Sequence, residues 1–227
     1  MLQIGPRQER LVDAWASTIG TAASGRNYDF TSPTRTERLC ERADRFLDAP
    51  SEETFGALWS SEIIRNATYG GPDTVLNNWN RPIEELTAFV RTIRDADAYD
   101  PAWERQVPAV VVPALWEIYG RLQPAERPII NSWVRRALPI FGPANPQTHA
   151  DGVERLAAFR EWYEHRVGHV TAQTDHAVPL YDEIEQFLYV AVTLDETALR
   201  ESLGMAEQAY DTFAGWDAMR ARSDRTN

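Results

Sequence analysis

Apolar residues in this chain recur three and four positions apart along most of its length and almost nowhere alternate. That period belongs to helices with one buried face. Leu11, Trp15 and Ile19 form the first stripe. Ser32-Pro33 reads as an N-cap followed by a first-turn proline, and Leu39, Cys40, Ala43, Phe46 and Leu47 follow as the apolar face of a helix. Pro50 stops it, and Ser51 caps the next, with Phe55, Leu58, Trp59 and Ile63 inward. Gly70-Gly71-Pro72 reads as a break. Asn80 and Pro82 open a helix that buries Ile83, Leu86, Phe89, Val90 and Ile93, and residues 95–101 form a polar turn. Val110-Val111-Val112 suits a strand taken alone. Leu115, Trp116, Ile118 and Tyr119 carry the run past strand length, so 108–119 is expected to be a buried helix. Pro128 is expected to open the next helix, through Ile129, Ile130, Trp133, Val134, Leu138 and Phe141, with Gly142 ending it. Residues 151–167, 179–194 and 195–219 carry the last helical patterns. The expectation is an all-α fold: a single multi-helix domain over 1–220 with about nine or ten helices. Residues 1–70 are a possible N-terminal subdomain, and 221–227 are expected to be a frayed tail.

Composition narrows the function classes. The chain has 227 residues, 43% of them hydrophobic, with eight each of Trp, Tyr and Phe, which excludes a disordered protein. The single Cys40 excludes an internal disulfide framework and a multi-cysteine zinc site. It favours a reducing, cytoplasmic setting. Residues 107–116 are the most apolar run, far short of the roughly 20 residues a spanning helix needs. The first eleven residues include Arg7, Glu9 and Arg10 and lack the apolar region of a secretion signal. A soluble cytoplasmic protein with no membrane partner is expected. All 23 basic residues are Arg. With no Lys there can be no Gly-x-x-x-x-Gly-Lys-[Ser/Thr] phosphate loop, so this chain holds no P-loop motor.

The net charge of −11 opposes indiscriminate binding to phosphates. One stretch runs against it. Residues 105–150 carry five Arg, two Glu and no Asp, a local +3. Arg121, Arg127, Asn131, Trp133, Arg135 and Arg136 within it are the candidate nucleic-acid contacts. Arg would grip phosphate bidentately, Asn could read a base edge, and Trp133 offers a stacking face. Arg135 and Arg136, being adjacent, would point about 100° apart on a helix and straddle a backbone. The alternative use of these arginines is internal, paired with neighbouring acids or laid over the aromatic core.

Parts of this stretch look like known proteins. Val107-Pro108-Ala109-Val110-Val111, then Tyr119 to Leu122, then Pro128-Ile129-Ile130-Asn131-Ser132-Trp133-Val134-Arg135-Arg136-Ala137-Leu138, resemble the core of the helix-hairpin-helix DNA glycosylase superfamily. Its pattern there is Leu-Pro-Gly-Val-Gly, a helix, then Val-Asp-Thr-x-Val-x-Arg. The resemblance implies a degenerate hairpin. Ala109 and Val111 replace the glycines that let backbone N–H groups approach a phosphate, and Asn131 replaces the catalytic Asp. An amide cannot do a carboxylate's work on water or on a cationic centre. A second likeness covers roughly residues 50–195. It is carried by Glu84-Glu85-Leu86 to Tyr99-Asp100, Trp116-Glu117-Ile118-Tyr119-Gly120-Arg121-Leu122, Pro128 to Ser132, and Val178-Pro179-Leu180 through Glu183-Ile184-Glu185-Gln186. Together these are similar to the helical N-terminal regions of archaeal McrB-like restriction and defence proteins. That likeness implies a recognition module working beside an ATPase or nuclease on another chain.

Three smaller constellations remain. His165 and His169 in Glu161-x-x-x-His165-x-x-x-His169 have the spacing of a helical metal pair, although Gly168 is expected to end the helix between them. Asp182, Glu183, Glu185 and Gln186 offer paired carboxylates. Tyr181, Ile184, Phe187 and Leu188 mark the core side of that segment, so the acids are expected on its solvated face. Cys40 is expected to be a small core residue rather than a nucleophile. There is no nucleophile elbow and no dinucleotide fingerprint, and no cofactor is expected. The leading expectation is a non-catalytic nucleic-acid-recognition module, for which the McrB-like resemblance implies a restriction or defence system. The alternatives are a protein-interaction or regulatory subunit and, third, a glycosylase-like or nuclease enzyme.

Overall fold

In a computed structural model of the chain the described residues are 2–19, 34–64, 71–107, 110–142, 145–174 and 177–193, with Thr197 and Asp217 besides. Among them every regular element is helical and there is no strand. The chain divides into two compact units, residues 32–132 and residues 1–31 with 133–227. No described helix is long and apolar enough to cross a membrane. The expected tail at 221–227 and most of 195–219 lie outside the described residues.

The first unit contains α2 (Arg35–Asp48), α3 (Glu52–Leu58), α4 (Pro72–Trp79), α5 (Ile83–Asp95), a 3-10 turn (Pro101–Arg105) and α6 (Val112–Arg121). Ser32 and Pro33, the expected start of α2, lie outside the described residues. The cap found is Thr34, whose hydroxyl accepts the Glu37 N–H while the Glu37 carboxylate accepts the Thr34 N–H. Ser51 caps α3 as expected, in a reciprocal pair with Thr54. Two caps of this kind each contribute about 1 kcal/mol. The expected apolar faces meet in one core that includes Leu39, Phe46, Phe55, Trp59, Leu86, Ile93, Trp103, Leu115 and Tyr119.

Three segments of the first unit depart from the sequence expectation. Pro72 is not only a break: it is in the first turn of α4, with Gly71 as its cap, and Val75 and Trp79 are buried. Asn80, expected to open a helix, closes α4 in the left-handed conformation (φ 44°), which Asn tolerates better than most residues. Residues 110–111 are not helical, and α6 begins at Val112 with Val111 as its cap.

Pro128 does not open a helix either. Residues 128–131 are irregular yet buried, and the helix begins at Ser132. The cause lies on α6. A Cβ added at Gly120 would collide with the Pro128 carbonyl and stand 2.8 Å from the Ile129 Cα. The irregular segment packs backbone to backbone against the one position of α6 without a side chain.

The second unit contains α1 (Pro6–Ile19), nearly all of α7 (Ser132–Phe141), α8 (His149–Val167), a 3-10 turn (Thr171–Gln173) and α9 (Leu180–Thr193). Its centre is aromatic. Phe187 of α9 lies 5.7 Å from Trp15, 5.7 Å from Phe141, 6.0 Å from Phe159 and 5.8 Å from Tyr163, ring centre to ring centre. Gly168, at φ 74°, ends α8 where the sequence placed its end.

Gly120→Ala supplies a sharp test of the packing of α6. In an ordinary helix interior this change adds up to about 1 kcal/mol of stability. Here it should cost about 1–3 kcal/mol through overpacking, read as a lower urea midpoint at unchanged slope.

Candidate functional site

Three of the six candidate nucleic-acid contacts are enclosed and three are half-buried. Arg121 is fully buried. Its Nε donates to Glu117 Oε1 at 3.0 Å, one helical turn back, and Nη1 donates to Thr36 Oγ1 at 2.8 Å. Arg127 is 5% exposed. Its Nη1 donates to the carbonyls of Ile93 (3.1 Å) and Tyr119 (3.2 Å), and its Nη2 to those of Arg94 (3.0 Å) and Ala96. The guanidinium carbon stands 4.1 Å over the Tyr119 ring. Burial lowers the Arg127 pKa from its usual value, partly offset by Tyr119 and neighbouring acids. Asn131 is fully buried. These three positions are therefore corrected: a phosphate or base cannot reach side chains enclosed in this way.

Trp133, Arg135 and Arg136 are half-buried. The Arg136 guanidinium carbon lies 4.8 Å over the Trp133 ring, and Trp133 meets Tyr189 of α9 edge to face at 5.6 Å. Arg135 Nε donates to the Pro146 carbonyl at 3.2 Å, and burial lowers its pKa. This pair of arginines and its tryptophan are the part of the expected interface that solvent reaches.

The electrostatic consequence is direct. Of the five arginines in 105–150, Arg121 is neutralised by Glu117, and Arg127 is turned onto backbone carbonyls. Both units are acidic. Residues 32–132 hold eleven Arg against sixteen Asp and Glu, and the other unit holds twelve against eighteen.

The acids of α9 also need correction. Asp182 (4%), Glu183 (0%), Glu185 (0%) and Gln186 (4%) are buried, not solvated. The helix is enclosed all round from Leu180 to Leu188, so its apolar stripe marks no solvent side. Glu183 Oε1 accepts the Tyr163 hydroxyl (2.7 Å) and the Val170 N–H (3.0 Å), and Oε2 accepts the Thr171 N–H (2.7 Å). The Tyr163 oxygen in turn accepts the Trp15 indole N–H at 2.8 Å. Burial, then the charge of Glu183, pushes the Tyr163 phenol well above its ordinary value. A carboxylate with three donors fixes the turn between α8 and α9. It is enclosed, which suits holding a fold rather than meeting a substrate. Gln186 Nε2 donates to Glu185 Oε2 at 2.9 Å.

The histidine pair is separated by Gly168. His165 is exposed in the last turn of α8, and His169 Nε2 lies beyond the helix, 2.7 Å from the Val178 carbonyl and 3.6 Å from Glu183 Oε2. No group of three or more metal-ligating side chains occurs among the described residues. Cys40 is half-buried, and its Sγ donates to the Arg121 carbonyl at 3.4 Å.

The Glu117 partner falls under the internal pairing with neighbouring acids that the sequence left open, at a spacing of four readable as a helical pair. Thr36, 85 positions from Arg121, left no such signal. Comparison with known protein families, with curated proteins and with solved structures finds no match for this chain.

Two outcomes follow. Arg121→Met alone, which takes the cation away from the buried Glu117 carboxylate, should cost about 3–5 kcal/mol in chemical denaturation, while Glu117→Leu with Arg121→Met should recover most of it. His149, at the start of α8, is buried, and burial lowers its pKa to about 4. The unfolded chain takes up that proton near pH 6.5 and the folded one only near 4, so stability falls as pH drops through that window, by up to roughly 3 kcal/mol. Relative to wild type, His149→Gln should flatten denaturation midpoints measured between pH 7 and 4.

Proposed function

We propose that the chain is a non-catalytic, acidic helical module that recognises a basic protein partner. The observation that carries this reading is the internal use of Arg121 and Arg127, which removes the core of the basic stretch from the surface and leaves both units acidic. Complementary charge steers such encounters and suppresses wrong partners. The likeness to McrB-like helical regions suggests an ATPase or nuclease subunit as that partner, in a restriction or defence setting.

Nucleic-acid recognition is the second reading. It rests on Trp133 with Arg136 over its ring and Arg135 beside it, all half-buried. Asn131 is enclosed, so the glycosylase-like reading offers it no substrate.

Fluorescence anisotropy with duplex and single-stranded DNA separates the readings. The protein-partner account predicts no binding tighter than about 100 µM at physiological salt, the weak end of nonspecific affinity. Tight, salt-dependent binding lost in Arg135→Ala/Arg136→Ala would favour nucleic acid instead. On the protein side, carboxyl-directed crosslinking in the native cell should yield a basic protein whose capture survives nuclease treatment. Reversing exposed acids, as in Glu41→Arg/Asp44→Arg, should weaken that complex at least tenfold.

A further inference from the structure

A groove of about 310 Å³ opens on the 32–132 unit, lined by Trp79, Arg81, Glu85, Ala88, Phe89, Thr92 and Gln106. The chain builds it in three steps. The left-handed Asn80 turns the backbone sharply after α4. Arg81 then lies with its guanidinium carbon 4.5 Å over the Trp79 ring. Residues 85, 88, 89 and 92 of α5 fall on one helical face and form the other wall.

The polar groups at the rim are held but lightly used. The Arg81 guanidinium has five N–H donors. Among the described residues it makes an ion pair to Glu85 Oε2 at 3.5 Å and one long hydrogen bond, Nη2 to the Gln106 carbonyl, at 3.4 Å. Stacking on Trp79 fixes its plane while leaving the in-plane donors for an acceptor. Arg81 and Glu85 side chains are 48% and 54% exposed, so a solvent-borne ligand can reach both. The Trp79 indole N–H is already donated to the Pro82 carbonyl and the Thr92 hydroxyl to the Ala88 carbonyl, so they contribute surface rather than free donors.

We propose that this groove binds a free α-amino acid. The volume is at the lower end of small-molecule pockets and too small for a helix. The rim carries one positive and one negative group side by side. A dianion such as a phosphate meets repulsion from Glu85, and a simple amine meets repulsion from Arg81. A zwitterion satisfies both: its carboxylate takes the in-plane donors of Arg81, its ammonium donates to Glu85, and its side chain lies along exposed Ala88. Such a ligand would sit on α4 and α5 irrespective of which partner the module recognises, so failure here leaves the proposed function standing.

The test is titration of the full chain, labelled with ¹⁵N, with L-phenylalanine, 3-phenylpropionate, phenethylamine and phenyl phosphate. L-Phenylalanine should bind saturably at about 1 mM or tighter, with amide shifts centred on residues 79–92 and 106. The two singly charged analogues and the phosphate should bind at least tenfold more weakly. Arg81→Gln and Glu85→Gln, both at exposed positions, should each weaken L-phenylalanine at least tenfold with unchanged circular dichroism, and Ala88→Trp should abolish binding by filling the groove. The proposal is overturned by any of three results: no saturable shift at 10 mM, 3-phenylpropionate binding as tightly as L-phenylalanine, or unchanged affinity in Arg81→Gln.

Discussion

A buried ion pair on α6 organises the middle of the 32–132 unit. Enclosing Glu117 and Arg121 removes two charges from water, at a cost of several kcal/mol per ion. That cost is lowered when the geometry is good and further hydrogen bonds reach the charged groups. Here the pair is closed at 3.0 Å and Thr36 of α2 takes another guanidinium N–H. Cys40 adds a contact from α2 to the Arg121 carbonyl. Helix α6 is thereby keyed to α2 through polar contacts that admit one register, which apolar contacts alone specify less sharply. Arg127 extends the same logic. It gathers four carbonyls at the end of α5, the turn after it and α6, where helix C-termini leave acceptors without backbone partners.

The 1–31 and 133–227 unit uses an acid in the same way. Glu183 sits inside an aromatic cluster and collects a phenol and two backbone N–H groups. One enclosed carboxylate fixes α8, the turn after it and α9. In both units the charged residues that looked most like chemistry serve architecture, and the groups that solvent reaches are plainer: Trp133 with Arg136, and Arg81 with Glu85.

Much of the fold was legible because it rests on local rules. The helical period, the Ser51 cap and the stop at Gly168 are written in neighbouring residues, and each was found where the pattern put it. Proline was the weak signal. Pro72 enters α4 and Pro128 enters an irregular buried segment, and the difference is Gly120, which admits the backbone of 128–129. Nothing near Pro128 in sequence announces that approach. The acids of α9 failed for another reason. A helix buried on every side has no solvent face, so an apolar stripe at 181, 184, 187 and 188 says nothing about where 182, 183 and 185 point. The candidate interface was legible only as charge. An arginine held by Thr36 or by four carbonyls reads the same along the chain as one held out to a phosphate.

The central claim is that Arg121 and Arg127 are internal structural groups while Arg105, Arg135 and Arg136 keep contact with water. Dicarbonyl labelling of arginine with phenylglyoxal, followed by peptide mass spectrometry, measures it directly in a chain whose side-chain cations are all Arg. In the native state Arg121 and Arg127 should be protected at least tenfold relative to Arg105 and Arg45, and the protection should vanish in denaturant. Modification of Arg121 and Arg127 at the rate of those exposed arginines would contradict the account.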